Sequence, residues 1–499
     1  RGEQKFENYQ NQIKELETEK ERLEEQLSIK SAEFRKEIQP VELADIQAKI
    51  PQNAALVEIV QYNLFNPKGK PRYAAVVLRN SGEPKWVDLG DAATIDKSVT
   101  SFRNSLIIDP GVLNDPSSVL EQTQKQSRKL YEQVMAPILP LLGDTRHLLL
   151  SPDGELNLIP FEALYDENNQ YLIQRYSFSY LTTGRDLLRL DTKVKKSSPP
   201  VVFSDVNYSQ QETMIAGKVR GSENLRSVDF TSLKFPSLKS TKEEGEVIKK
   251  IFPETNIITG KQATETAIKQ LKTPSFLHLA THGFFLPDQQ KPDVTTNAFN
   301  HQLEEPKALN LENPLLRSGL ALAGFNDRQN KQSKNASDGV LTALEVAGLS
   351  LRGTKLVVLS ACETGKGTVK LGEGIYGLRR ALVIAGSQSQ VLSLWKVSDE
   401  GTKDLMVKYY ANLKAGKGRH EALREVQLEL INNPKYQHPY YWSSFIPSGN
   451  WKEMDANFSS YLEKPILIFI IGLSFTFAII ISSKFLIRKQ WKKSDNLVG

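Results

Sequence analysis

Short, largely apolar runs constrain this chain most. Beyond Pro40 they fall at residues 55–62, 73–79 and 147–150, and again at 275–281, 354–360 and 390–395, with stretches long enough for helices, such as 116–135, between them. Runs that do not alternate apolar with polar residues belong to strands covered on both faces, as in a parallel sheet flanked by helices. The pattern predicts an α/β fold. A polar tract at 192–238 divides it into two halves, 40–191 and 192–451. In the second half, residues 287–338 form a long Asn-, Asp-, Gln- and Pro-rich stretch, broken by the apolar piece 314–323. Its flanks are expected to be mobile loop, either a lid or processing site or a tolerated insertion.

The two ends differ from this body. Residues 1–39 are dense in Glu, Lys and Gln, and Phe6, Tyr9, Ile13, Leu16, Leu23, Leu27 and Phe34 recur at spacings of three, four or seven, which predicts one long helix. It packs on its own protein, closing any helical repeats that lie upstream, or joins an intermolecular coiled coil whose seam Lys20 and Lys30 interrupt. The chain begins at Arg1 rather than Met, so derivation from a longer precursor is expected. At the other end, residues 465–483 carry no charge and would span roughly 28 Å as a helix. A single transmembrane helix over 465–487 is therefore expected, after a linker at 452–464 and before a basic tail at 488–499. Membrane location follows, with the face occupied by the body left open, since the positive-inside rule and tail-anchored insertion give opposite answers.

The 64 basic and 58 acidic residues leave a net charge of +6, too mild a surplus to require a polyanion, and no basic stripe with interleaved aromatics appears. Nucleic-acid binding is not expected. The chain has one cysteine, which excludes an intrachain disulfide and any multi-cysteine metal site.

That cysteine is well placed for chemistry. FLHLATHG ends on His282 and Gly283, and KLVVLSACETG puts Cys362 just after a second apolar run, so both groups would leave the carboxyl ends of parallel strands, where open α/β sheets build their sites. Were the two strands neighbours, a spacing of roughly 5 Å would bring imidazole and thiol within reach. A thiol ionises little at neutral pH and needs a base to become a strong nucleophile. His282 is the candidate base, Cys362 the nucleophile, and the N–H groups of Gly283 and Cys362 the candidate oxyanion donors. The bland alternative makes Cys362 a small core residue and His282 a satisfied strand-end histidine.

Other signals weaken on inspection. Gly372, Gly374 and Gly377 spell G-x-G-x-x-G, but no convincing strand precedes them, so helix packing is the better account. ETGKGT lacks the first Gly and the final Ser or Thr of a phosphate loop. His278 and His282 have the spacing of a helical zinc pair, yet on a strand they stand roughly 13 Å apart. His278 is expected in the core or behind the site. No G-x-S-x-G elbow occurs, and neither metal nor cofactor is called for.

Six segments carry a family resemblance: SPDGELNLIPFEAL at 151–164, LATHGFF at 279–285, NPLLRSGLALAG at 313–324, LSACETG at 359–365, GEGIYGLRRALVIAG at 372–386 and LWKVSD at 394–399. Together they resemble the CHAT domain proteins, caspase-like and separase-related cysteine peptidases of clan CD, over about residues 40–451. The resemblance implies a caspase-like sheet with flanking helices, a first half of pseudo-caspase kind, and a catalytic second half whose His-Gly motif falls on His282 and Gly283 and whose nucleophile falls on Cys362. It further implies endopeptidase activity on a protein, regulation by a partner or by upstream helical repeats, and, for some relatives, cleavage of a gasdermin-like pore former. Asp399, the last residue of LWKVSD and just beyond the apolar run 390–395, is the candidate acceptor for a basic substrate side chain, as separases favour, or else a helix cap. Glu363 shapes the pocket or restrains its loop. The rival from another class is a catalytically silent scaffold that binds partners at a membrane.

Overall fold

The computed structural model describes residues 40–63, 69–108, 115–190, 197–209, 233–285, 314–330, 338–360, 372–395 and 399–454. The first half contributes β1 (Ala54–Asn63), β2 (Pro71–Arg79), β3 (Lys85–Asp91), β4 (His147–Ser151) and β5 (Ser177–Tyr180). The second contributes β6 (Val201–Val206), β7 (Asn256–Gly260), β8 (Phe276–Ala280), β9 (Gly283–Phe285), β10 (Ser318–Ala321), β11 (Val340–Thr342), β12 (Leu356–Ser360), β13 (Ser389–Ser393) and β14 (Phe445–Gly449). Among the described residues, eleven strands form one sheet in the order β3-β2-β1-β4-β5-β14-β13-β12-β8-β6-β7, beside a small sheet β11-β10-β9.

The apolar runs explain the centre of this sheet. HLLLS of β4 and FLHLA of β8 are buried at every position, and LVVLS of β12 at all but its last. Helices supply the cover on both faces. In the first half these are α1 (Leu43–Gln47), α2 (Ala92–Leu106) and α3 (Pro116–Val134), the last two started by Asp91 and Asp115 accepting from the N–H groups of Thr94 and Ser118. In the second half α4 (Ser240–Ile251), α5 (Gly372–Ile384), α6 (Asp399–Lys414) and α7 (Arg419–Ile431) do the same. The G-x-G-x-x-G string lies on α5, where a Cβ on Gly377 would stand 3.2 Å from Ser318 Oγ, a helix-packing contact.

The polar tract 192–238 holds a buried strand, β6, whose VVFSDV is too short to stand out from its surroundings. The two halves also share one sheet, joined where β14 of the second half runs parallel to β5 of the first. The expected single-pass membrane location is corrected: no described helix is long and apolar enough to cross a membrane. Among the described helices only α3, with 19 residues, is of sufficient length, and it carries Glu, Lys and Arg along its course. The 465–487 segment lies outside the described residues, as do the long helix expected over 1–39 and most of the 287–338 stretch, of which 314–330 is described.

Candidate active site

β8 and β12 are parallel neighbours, with Leu279 opposite Leu359 and Ala280 opposite Ser360. His282 therefore follows β8 by two residues, and Cys362 follows β12 by the same two. Cys362 and Glu363 fall in 361–371, outside the described residues, but the strand leading to them ends one strand spacing from the exit of β8.

His282 is almost wholly buried, at 2% exposure. Phe235 stacks on its ring at 4.7 Å between centroids and 16° between planes, and Tyr208 packs at 5.1 Å. Its Nε2 lies 2.8 Å from the Pro236 carbonyl oxygen. A carbonyl only accepts, so Nε2 carries a proton and is the donor in this contact.

The approach to His282 is equally specified. Thr281 donates its hydroxyl proton to the Ala321 carbonyl, so the Tyr208 hydroxyl, 2.9 Å away, must be the donor to Thr281. Ala321 N–H donates to the His282 carbonyl at 2.8 Å. That bond makes 282 and 321 a hydrogen-bonded position of the β9–β10 ladder, so Gly283, opposite Leu320, turns its N–H away from β10. Gly319 is obligatory in this sheet, because a Cβ there would meet the Leu341 carbonyl oxygen at 2.5 Å and the Phe284 ring at 2.7 Å. Upstream, a register shift between Ser204 and Val206, with Asp205 at φ +48°, marks a bulge at the end of β6, three residues before Tyr208.

Of the other expected residues, Asp399 is the first residue of helix α6. His278 sits in the middle of β8, its Nδ1 2.9 Å from the Tyr410 hydroxyl and its Nε2 3.1 Å from Glu244, behind the site rather than in it. Among the described residues no group of His, Cys, Asp and Glu is arranged to hold a metal ion. Tyr208, Phe235 and Pro236 were not foreseen: two act as apolar walls, and the third through a main-chain carbonyl that every residue possesses.

The CHAT domain family model matches residues 124–450, more than half of the chain and both strands that lead to the site. The chain belongs to the CHAT domain family. Curated relatives of this CHAT chain include tetratricopeptide repeat protein 28 of Homo sapiens, 25% identical over 339 residues, and that of Mus musculus, 24% identical over 343. Each alignment covers 65% of this chain and 13% of the relative, so the CHAT chain spans about an eighth of their length. Solved structures similar to it include the Saccharomyces cerevisiae separase–securin complex, with TM-score 0.44 and 9% identity over 82% of this chain and 30% of that one. The Arg-specific cysteine proteinase gingipain R is another, with TM-score 0.37 and 8% identity over 72% and 74%.

Proposed function

We propose that this CHAT chain is a cysteine endopeptidase in which His282 serves Cys362. The observation that carries this is the register of β8 on β12, which starts the two segments at the same level of the sheet, together with a histidine whose Nε2 proton is committed to Pro236. Nδ1 takes the thiol proton, the thiolate attacks the scissile carbonyl, and the oxyanion is met by the N–H groups of Gly283 and Cys362. Collapse breaks the C–N bond, the imidazolium returns its proton to the leaving amine, and water activated by Nδ1 hydrolyses the thioester.

The substrate is a protein, with a basic residue before the cut received by Asp399, and Glu363 restrains the loop beside the nucleophile. Residues 40–191 support the active half. Their contact with it includes Asn157 of the SPDGELNLIPFEAL segment, which accepts from Arg379 of α5 at 2.8 Å, and Arg189, which donates to the Val383 carbonyl. Because the curated relatives carry tetratricopeptide repeats in their name, upstream helical repeats are the proposed regulators.

An acyloxymethyl-ketone probe with a basic residue at its recognition position tests the reading. Labelling of Cys362, lost in Cys362→Ala and His282→Ala, is expected. No labelling of the chain joined to its upstream repeats and their ligand would leave a silent scaffold as the answer.

A further inference from the structure

The carbonyl that orients His282 belongs to residues 233–238, which form neither helix nor strand. A main-chain group in such a segment keeps its direction only if something else holds it. Asn326 does so with both ends of its amide: Oδ1 accepts from Phe235 N–H at 2.9 Å and Nδ2 donates to the Phe235 carbonyl at 2.9 Å, as a strand partner would. Nδ2 also lies 3.2 Å from Ser209 Oγ, and the Asn326 backbone N–H donates to the Tyr208 carbonyl at 2.8 Å. One residue thus joins the two rings that flank His282 and fixes the position immediately before Pro236.

We propose that Asn326 is a positioning residue that sets the tautomer and orientation of His282 by locking the Phe235–Pro236 segment. A carboxamide is the short side chain that offers a donor and an acceptor to the same peptide unit; a carboxylate accepts only, and Ala does neither. With the lock removed, the Pro236 carbonyl turns from Nε2 and the imidazole proton distributes between its two nitrogens. The fraction of neutral His282 whose lone pair sits on Nδ1 then falls. The tautomer effect stands independently of the peptidase reading; its kinetic consequence rests on that reading.

Side-chain nitrogen resonances of ¹⁵N-histidine in the full chain report the tautomer, with His282→Gln assigning one signal among the six histidines. His282 is expected to be Nε2-protonated in the native chain and mixed in Asn326→Ala, with Asn326→Asp, which keeps the acceptor alone, in between. Arg328→Ala is the control. Arg328 donates to the Leu233 carbonyl at 2.9 Å and covers the Phe325 ring at 4.2 Å, so it braces the same segment two residues before the peptide unit that Asn326 holds. It should leave the tautomer alone. In parallel, Asn326→Ala should slow probe labelling of Cys362 by about 10–100-fold through the limiting rate, not the half-saturating probe concentration. An unchanged tautomer in both Asn326 variants, or the same change in Arg328→Ala, overturns the proposal. If Asn326→Ala does not fold, the near-isosteric Asn326→Asp carries both readings. A tautomer that responds in a chain that never labels upholds the positioning role and defeats the peptidase reading instead.

Discussion

His282 and the pair His147 and His420 are buried to a similar degree and held by different kinds of partner. His147 Nε2 and His420 Nδ1 share the hydroxyl of Ser179, which has one proton and so donates to one ring while accepting from the other. Burial holds His147 down at about 4 and His420 well below its ordinary value, the latter aided by His147 and by nearby Arg419. These two are neutral joints between β4, β5 and α7. His282 has a backbone carbonyl on one nitrogen and stands at a strand end. Burial alone therefore does not mark a working histidine; position on the sheet and the kind of partner do.

The sharpest break of this comparison is kinetic. His282→Ala should lower probe labelling of Cys362 by about 10²–10⁴-fold, whereas His147→Gln should leave it within a few-fold. Equal losses in both would erase the distinction.

Acid stability comes next. A histidine whose folded value lies below its unfolded one costs stability as pH falls, so the His147 contribution is intact above 6.5 and lost on the way to about 4. The displacement from 6.5 to about 4 is worth about 3 kcal/mol. Glu162 works in the other direction. Its carboxyl is wholly buried against the Tyr180 hydroxyl, 2.7 Å away, and burial pushes it up to about 7. Its contribution is present below 4.5 and lost as pH rises to about 7, again on the order of 3 kcal/mol. In the native chain the two slopes oppose each other between 4.5 and 6.5. Denaturant midpoints across pH should separate them: Glu162→Gln leaves stability that rises with pH, and the double variant His147→Gln/His420→Gln, which removes both depressed histidines, leaves stability that falls. The same pH profile in both variants would show that neither group titrates as described.

The smallest expected effect is local. Gly319→Ala forces β10 away from β9 and β11 at a cost of about 1–3 kcal/mol, shifts the Ala321 partner of the His282 carbonyl, and leaves the acid transition of the His147 pair unchanged. Thermal melts at two pH values, paired with labelling rates, would show whether the two histidine sites respond separately.

The same contrast governs what could be read from the sequence. β4, β8 and β12 were legible because nearly every residue in them is apolar and buried, and the runs that became β8 and β12 are what drew attention to the proposed pair, His282 and Cys362, two positions beyond their ends. β14 was not. FIPSG reads as a turn, yet it is buried throughout between β13 and β5, and Gly449 at φ +80° is needed because a Cβ there would lie 2.5 Å from the Gln388 carbonyl oxygen. Neighbours, not propensity, make it a strand. The partners of His282 were hidden by distance: Pro236 lies 46 residues away, and Asn326 is 91 from the Phe235 it holds. No local pattern encodes contacts of that range.

β14 stands sixth of eleven in the sheet although it is the last of those strands along the chain. While the protein is being synthesised, β5 and β13 must wait with open edges until residues 445–449 have been made, and only then can the two sides zip together. Every strand on the Cys362 side is thus joined to the earlier ones by a pairing that forms last, which makes folding late and non-local. During that wait the exposed edges of β5 and β13 are the places where a chaperone, or a second nascent chain, would find its hold.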